Sequence, residues 1–443
     1  MKKTVLVLVA TLALILPSDP AFSLNHLSDM DLEEIECQSG ITISHSLAVD
    51  LSIDQFGISD TKNGNWLELS NLTRTSTSSG FTDIDCFTVS DPASPIDGQT
   101  YVAWQMYDRE QTNLTTVGDI SLAGQSIGSL TIENVQTPNS YLYLGSHMDG
   151  TVGIDYERGL QLTVDDFSYS AGGNELSLSG IHLYGDIDDG DGDGLVLDPT
   201  TDPSLWTFDG YFTVGDIYSG TPATFDVATD SDTSTTFMAL NTPMSGDIWI
   251  ESIRLGTTDF GTAIIDGLDV DHCYVTIAGG EDFSSFSVEE TDEYAAVQLG
   301  IQVSTYATID QLMMGYWDNG TGAGWDQNWT GVSLGTATED LVLNDFFIQV
   351  NYDDVNSPGR QVESVQIGFK DVTGQMTADT FASLSQGQYN FTDNTWTEIS
   401  SRLGIPDSGF QFNGDTLAIN VLLDEPAGHG GIYFDFGNAT PIP

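Results

Sequence analysis

The residues best suited to chemistry form an Asp- and Gly-rich run between residues 185 and 198. Alternate aspartates, a glycine and a leucine carbonyl match positions 1, 3, 5, 6 and 7 of a calcium-binding loop, and these residues are Asp189, Asp191, Asp193, Gly194 and Leu195. Position 12 holds Thr200, where such loops carry a bidentate Glu. Further aspartates are expected to complete the shell of the ion, and the candidates are Asp186, Asp188, Asp198 and Asp202.

A bound Ca²⁺ would account for the crowding of acids in this run. Closely spaced carboxylates repel one another unless a hard cation bridges them, and glycines let the backbone wrap tightly around that ion. We expect no flanking helices, so the ion would stiffen a β-loop rather than act as an EF-hand switch. Extracellular sites of this kind bind weakly, with dissociation constants of about 10⁻⁴ to 10⁻³ M. The alternative is a solvated acidic loop at the tip of a hairpin.

A second segment, residues 316–329, is rich in aromatic and polar residues. Three tryptophans and an aspartate could form a platform on which a sugar stacks, and these residues are Trp317, Trp325, Asp326 and Trp329. The alternative is that the tryptophans are buried at the open end of a β-sandwich while the Asp and Asn residues form turns. Most aromatic side chains are buried, which favours this second interpretation.

The sequence lacks familiar catalytic motifs. Its six His residues show no HExxH spacing, its three Cys residues show no CxxC spacing, and neither a GxSxG elbow nor a Walker loop is present. We therefore predict a protein that is not an enzyme. The remaining enzymatic alternative is a secreted polysaccharide hydrolase with an unrecognised carboxylate pair, since the many acidic residues always include a suitable pair.

Charge excludes several classes of partner. The chain of 443 residues carries 66 Asp and Glu residues against 10 Lys and Arg residues, a formal net charge of −56. Nucleic-acid binding requires clustered Lys and Arg, and docking on an anionic membrane surface requires basic residues as well. Hydrophobic residues make up 40% of the chain, which is enough to build a core.

The N-terminus predicts export. Residues 1–23 have the form of a secretory signal peptide, with Lys2 and Lys3 before an apolar stretch from Val5 to Leu16 and small residues before the cleavage point. That stretch is shorter than the roughly 20 residues that cross a bilayer, and the mature chain contains no longer one. We therefore expect a location in the periplasm, on the outer-membrane surface or outside the cell, with no membrane span in the mature chain.

Alternating hydrophobicity predicts an all-β fold. Val297, Leu299, Ile301 and Val303 alternate with polar residues, and Gly-, Asn-, Asp- and Ser-rich turns separate such runs throughout the mature chain. Only the segment after Ser28 favours a short helix. We predict a large antiparallel β-sandwich or jelly-roll-like architecture with two stacked domains, residues 24–200 and 201–443. An irregular β-solenoid is the alternative.

A unit that occurs five times marks positions at which strands are expected to bend. Each copy has two apolar residues two positions apart, then a polar residue, then Asn, Gly or Asp, and then another apolar residue. The fifth place is occupied by Asn71, Asn134, Gly180, Gly267 and Asp345. These residue types tolerate positive φ, so each copy predicts a strand bent by a bulge or an arc.

The segment Leu27–Ile43 resembles the start of the FilA-like pilus-system family of Gram-negative bacteria, a family of unknown function. Gln38, Gly40 and Ile41 match the family motif, whereas Cys37 stands where the family has Gly. The resemblance implies an exported, β-rich surface or filament-associated protein without an established enzyme activity. It also suggests that the departure at Cys37 adds a disulfide with Cys86.

Together these patterns predict an exported, calcium-stiffened, non-catalytic structural protein of the cell surface or of a pilus. Its partners would be pilus or other cell-surface components. The second prediction is a carbohydrate-binding or adhesive module that contacts glycans through the Trp-rich segment. The third is the secreted polysaccharide hydrolase.

Overall fold

The computed structural model is all-β, and no helix occurs in the residues that it describes. The described residues are 40–59, 65–90, 92–93, 96–146, 153–171, 174–188, 206–217, 220–229, 236–256, 258–278, 283, 294–315, 327–352, 362–381, 387–390, 395–398, 409–422, 431–435, 437 and 439–441. The predicted fold class is therefore confirmed. The signal peptide, the short helix and Cys37 lie outside these residues. No helix of the described part is long and apolar enough to cross a bilayer.

The described residues form 25 strands. The first half of the chain contains β1 (Ile41–Ser59), β2 (Trp66–Thr88), β3 (Thr100–Leu122), β4 (Gln125–Gln136), β5 (Ser140–Ser146), β6 (Gly153–Leu160), β7 (Leu162–Ala171), β8 (Asn174–Tyr184), β9 (Asp186–Asp188), β10 (Thr207–Asp209), β11 (Phe212–Val214) and β12 (Ala223–Thr229). The second half contains β13 (Thr236–Asn241), β14 (Met244–Leu255), β15 (Thr258–Ala278), β16 (Tyr294–Gly315), β17 (Gln327–Leu334), β18 (Leu341–Tyr352), β19 (Val362–Thr377), β20 (Thr380–Phe381), β21 (Gly387–Asn390), β22 (Thr395–Glu398), β23 (Phe410–Leu422), β24 (Gly431–Asp435) and β25 (Thr440–Pro441).

Twenty-one of these strands join in one sheet. The sheet divides into branches because a long strand can pair with two different strands along its length. β1, β2 and β3 lie side by side, and β3 then pairs with β5 along its first part and with β4 along its last part. One branch continues through β6, β12 and β13 and the other through β7, β8 and β14, and both meet on β15. All pairings between described strands are antiparallel.

A hydrophobic core lies between an early and a late part of this sheet. It contains Leu122, Ile127, Ala171 and Leu255 from the early part and Val297, Val350, Val365 and Val421 from the late part. The side-chain amide of Asn65 also donates a hydrogen bond of 3.3 Å to the carbonyl oxygen of Ala296 across the same contact. Burying each such apolar side chain contributes about 1.5 to 3 kcal/mol, so this core holds the two parts face to face, as in a β-sandwich.

Hydrogen bonding is continuous across the predicted domain boundary at residue 200. β6 pairs with β12, and β8 pairs with β14 over eight residue pairs from Asp247↔Tyr184 to Leu255↔Leu176. Strands of the two predicted domains are therefore hydrogen-bonded neighbours in the same sheet. Their division into 24–200 and 201–443 stays a prediction.

The positive φ expected in the repeated unit is confirmed in all five copies. The values are 53° at Asn71, 48° at Asn134, 61° at Gly180, 61° at Gly267 and 58° at Asp345. At Asn71 and at Gly180 the ladder omits one residue pair and continues in the same register on the other side. The unit therefore marks a local change of backbone conformation inside a continuous strand.

Candidate functional site

The predicted calcium loop is flanked by a two-stranded hairpin. β9 pairs with β10 in a register that places Asp186 opposite Asp209 and Asp188 opposite Thr207. Residues 189–205 connect these strands and lie outside the described residues, so the structure gives no position for the predicted ligands Asp189, Asp191, Asp193, Leu195 and Asp198. The strands on either side agree with the expectation that no helix flanks the loop.

Apolar side chains pack this hairpin against the main sheet. Ile187 and Trp206 are buried with Ile264 and Met313, and Phe208 packs against the same cluster. The ring of Phe208 stacks on that of Trp249, with centroids 4.6 Å apart. Because side chains alternate along a strand, the inward position of Ile187 directs Asp186 and Asp188 to the opposite face.

The carboxylate of Asp247 connects the backbone of the hairpin to the sheet through hydrogen bonds. Its side chain is only 2% exposed. Its Oδ2 atom accepts a hydrogen bond of 2.6 Å from the amide of Ile187, and its Oδ1 atom accepts one of 2.8 Å from the amide of Gly267. Burial raises the pKa of Asp247 to about 6 against the lowering effect of these two amides, and the charges of Asp186 and Asp310 raise the pKa further.

The base of the hairpin therefore concentrates negative charge. Asp186 is exposed and lies opposite Asp209, a pairing of like charges that destabilises a sheet. Asp188 is half-buried on the same strand. Among the described residues, no three His, Cys, Asp or Glu side chains converge on a point where a metal could bind. The structure thus brings Asp186 and Asp188 together at the mouth of the loop, and the loop itself would have to supply the remaining ligands.

Trp329 is an interior residue. It is 7% exposed and belongs to a buried cluster with Ile309, Val332 and Ala378. Its ring is therefore not presented to a ligand at the surface, which matches the interpretation of this tryptophan as a core residue. Trp317, Trp325 and Asp326 lie outside the described residues, so the sugar-binding platform stays a prediction for them.

Cys86 is exposed on β2 and forms no disulfide with a described residue. Its suggested partner, Cys37, lies outside the described residues, and the disulfide stays a prediction. Cys273 is half-buried on β15, where burial raises the pKa of its thiol.

A second buried carboxylate, that of Glu157 on β6, was not singled out from the sequence. It is 5% exposed, and its Oε2 atom accepts a hydrogen bond of 2.8 Å from the amide of Ile217. Burial raises the pKa of Glu157 to about 7 despite this bond, and the charge of Asp216 adds to the increase. The sequence around Glu157 gives only one local signal, a short polar stretch with an apolar residue on each side. This pattern does not show that the side chain of Glu157 is buried.

His272 is held between two carboxylates. Its Nδ1 atom is 2.9 Å from Asp271 Oδ2, and its Nε2 atom is 2.9 Å from Asp340 Oδ1. Burial lowers the pKa of His272, but the hydrogen bonds and charges of the two carboxylates outweigh that effect and raise it. Both ring nitrogens of His272 are engaged by carboxylates, and Ser304 donates its hydroxyl hydrogen to Asp340 rather than to His272. The group therefore lacks the serine–histidine hydrogen bond of a catalytic triad.

Comparisons with known proteins identify no relative. No family model matches the chain, and no curated protein or solved structure matches it either. The resemblance of residues 27–43 to a pilus-system family stays a prediction. The fold and the acidic hairpin are therefore the basis on which a function is assigned.

Proposed function

We propose that this protein is an exported structural protein of the cell surface whose sheet is stabilised by calcium bound at the β9–β10 hairpin. It acts without catalysis, as a filament- or surface-associated component. The observation that carries the proposal is the anchored hairpin, which holds Asp186 and Asp188 at the mouth of a loop that contains the Asp189, Asp191 and Asp193 pattern.

The electrostatics of the hairpin support a cation. Asp186 and Asp209 face each other, and Asp247 is buried beneath them. Without a counter-charge, each of these carboxylates raises the energy of the others, and a divalent ion in the loop would reverse the sign of that interaction. Bound cations would also stabilise the fold by reducing charge repulsion across the whole molecule, which has a net charge of −56.

The extended antiparallel sheet supports a structural role. It combines strands of up to 23 residues with a core shared by its early and late parts. Such a scaffold suits a structural role, and the histidine His272 has both ring nitrogens hydrogen-bonded to carboxylates. The predicted signal peptide and the pilus-family resemblance support placement outside the cytoplasm.

Calcium-dependent stability tests the proposal. The chain is unfolded thermally in EDTA and in millimolar calcium, and we expect a higher melting temperature with calcium. At 10 to 100 times the dissociation constant, the gain is about 1.4 to 2.7 kcal/mol. The double substitution Asp191→Ala and Asp193→Ala should abolish it, because it removes two of the predicted ligands.

A matched control removes the same charge elsewhere. The pair Asp54→Ala and Asp97→Ala removes two exposed carboxylates that lie on β1 and in the turn before β3. We expect this variant to keep the calcium increment. An equal loss in both variants, or an identical melting curve in calcium and EDTA for the native chain, would show that the loop does not bind the ion.

A further inference from the structure

An open polar groove crosses the first four strands of the sheet. It has a volume of about 440 Å³, and the side chains that matter for its chemistry are Ala48, Asp50, Thr75, Thr112, Leu114 and Glu133. Leu114 is 40% exposed and gives the middle of the groove an apolar surface. The groove is far in sequence from the acidic hairpin and has no part in the calcium proposal.

Strand register arranges the groove as a straight row. Asp50 on β1 is opposite Thr75 on β2, Thr75 is opposite Leu114 on β3, and Leu114 is opposite Glu133 on β4. Neighbouring strands lie about 4.8 Å apart, so the backbones of Asp50 and Glu133 are separated by about 14 Å. The groove thus has a carboxylate at each end and a hydroxyl and an apolar side chain between them.

This spacing excludes several ligands. Carboxylates on backbones about 14 Å apart do not share one metal ion, whose oxygen ligands lie at about 2.0 to 2.6 Å. They also exceed the separation of about 5 to 9.5 Å between the paired acids of glycosidases. Anionic ligands are disfavoured, because no Lys or Arg lines the groove and the chain is strongly acidic.

We propose that the groove binds a free linear polyamine. One terminal ammonium group lies at Asp50 and the other at Glu133, while the methylene chain between them runs over Leu114. The hydroxyl of Thr75 accepts a hydrogen bond from an inner amine. Charge complementarity carries this assignment, since neither carboxylate forms a hydrogen bond or an ion pair with another residue of the described chain.

Ligand length follows from the same geometry. With bonds of about 1.5 Å, the five bonds between the nitrogens of 1,4-diaminobutane extend to less than about 8 Å, well short of the roughly 14 Å between the backbones at the two ends. The thirteen bonds between the terminal nitrogens of spermine are long enough. We therefore expect the groove to bind spermine more tightly than 1,4-diaminobutane. The ratio of the two affinities should exceed the ratio that their difference in charge alone would produce.

Calorimetric titration of the purified chain with spermine at low ionic strength tests this assignment. The double variant Asp50→Asn and Glu133→Gln should weaken binding about fivefold, because two exposed ion pairs are worth about 0.5 kcal/mol each. The matched variant Asp97→Asn and Glu339→Gln also loses two exposed carboxylates, and it should bind as the native chain does. A third variant, Leu114→Ser, should weaken spermine binding without any change of charge.

The contrary results are equally clear. If both double variants weaken spermine equally, the ligand only screens the net charge and the groove is not a site. If the groove variant weakens 1,4-diaminobutane as much as spermine, the two ends do not act together and the assignment fails. Far-UV circular dichroism and melting curves verify that all variants are folded, as expected for exposed side chains.

Discussion

The carboxylate of Asp247 accepts a hydrogen bond of 2.6 Å from the backbone amide of Ile187, a residue 60 positions earlier in the chain. This bond, together with the apolar packing of Ile187, Trp206 and Phe208, joins the hairpin that flanks the acidic loop to the interior of the main sheet. The other oxygen of the same carboxylate holds the amide of Gly267, where the backbone of β15 has positive φ. One buried side chain therefore connects the hairpin to a positive-φ position of the main sheet.

Removing this carboxylate should destabilise the protein. In Asp247→Ala, two buried backbone amides lose their acceptor, and we expect the free energy of unfolding to fall by about 2 to 4 kcal/mol. Urea denaturation measures the change. Asp269→Ala serves as the control, because this carboxylate is exposed on β15 and its loss should alter stability by less than about 0.5 kcal/mol. Similar effects of the two substitutions would contradict the anchoring role of Asp247.

Glu157 should make stability depend on pH. Its pKa is about 7 in the folded chain and 4.5 ordinarily, so the folded state favours the protonated form. The resulting stabilisation is complete below pH 4.5 and is lost as the pH rises through about 7. The contribution of this group to the free energy of unfolding should therefore rise by about 2 to 3 kcal/mol between pH 8 and pH 5.

Glu157→Gln removes this titration, because the amide is neutral at both pH values and its oxygen can accept the bond from Ile217. Urea denaturation at pH 8 and pH 5 should show a smaller difference for the variant than for the native chain. Glu175→Gln on β8 is the control, since Glu175 is exposed. An unchanged pH dependence in Glu157→Gln would mean that this carboxyl is not protonated preferentially on folding.

Gly267 is predicted to resist substitution for two separable reasons. Its φ of 61° is unfavourable for residues with a Cβ atom, and a Cβ atom there would overlap the carboxylate of Asp310 on the adjacent strand. Gly124 has a φ of 79° with no atom near the added Cβ. Gly124→Ala should therefore cost about 1 kcal/mol, and Gly267→Ala should cost about 1 to 3 kcal/mol more.

A background of Asp310→Gly isolates the steric part of this effect, because it removes both the carboxylate and the Cβ atom of residue 310, which would lie 2.7 Å from the added Cβ atom. In that background we expect the excess cost of Gly267→Ala over Gly124→Ala to disappear, as measured by chemical denaturation. If the excess persists, the overlap with Asp310 is not its cause.

Trp329→Ala should affect folding rather than glycan binding. The side chain is buried in an apolar cluster, so its loss should reduce the free energy of unfolding by about 3 to 5 kcal/mol. Trp66 is 48% exposed, and Trp66→Ala should have a much smaller effect. A stable Trp329→Ala protein that had lost a glycan-array signal would instead favour the adhesive interpretation.

The positive-φ positions of the repeated unit are the feature of the fold that local sequence predicts best. Asn71 and Asp345 have a Cβ atom and still adopt positive φ, at the positions that the repeated unit indicates. The prediction succeeded because the preference for such a backbone conformation resides in the residue type itself. The alternation of apolar and polar residues is local in the same sense, and it correctly predicted an all-β chain.

The sequence did not reveal which strands pair. β3 has two partners along its length, and the first and last parts of β15 likewise pair with different strands. An alternating pattern identifies a face of a strand but carries no information about the neighbour on either edge. The sequence therefore did not predict that residues 24–200 and residues 201–443 share one sheet.

The amino-acid sequence by itself determined the strand-forming pattern, the five positive-φ positions of the repeated unit, the acidity of the chain and the Asp-rich run after Gly185. Only the tertiary structure decided that Asp247 and Glu157 are buried, that His272 lies between two carboxylates, and that Asp50 and Glu133 end the same row. The physical reason is that backbone preferences depend on adjacent residues. Burial, pKa and charge spacing depend instead on segments brought together from distant parts of the chain.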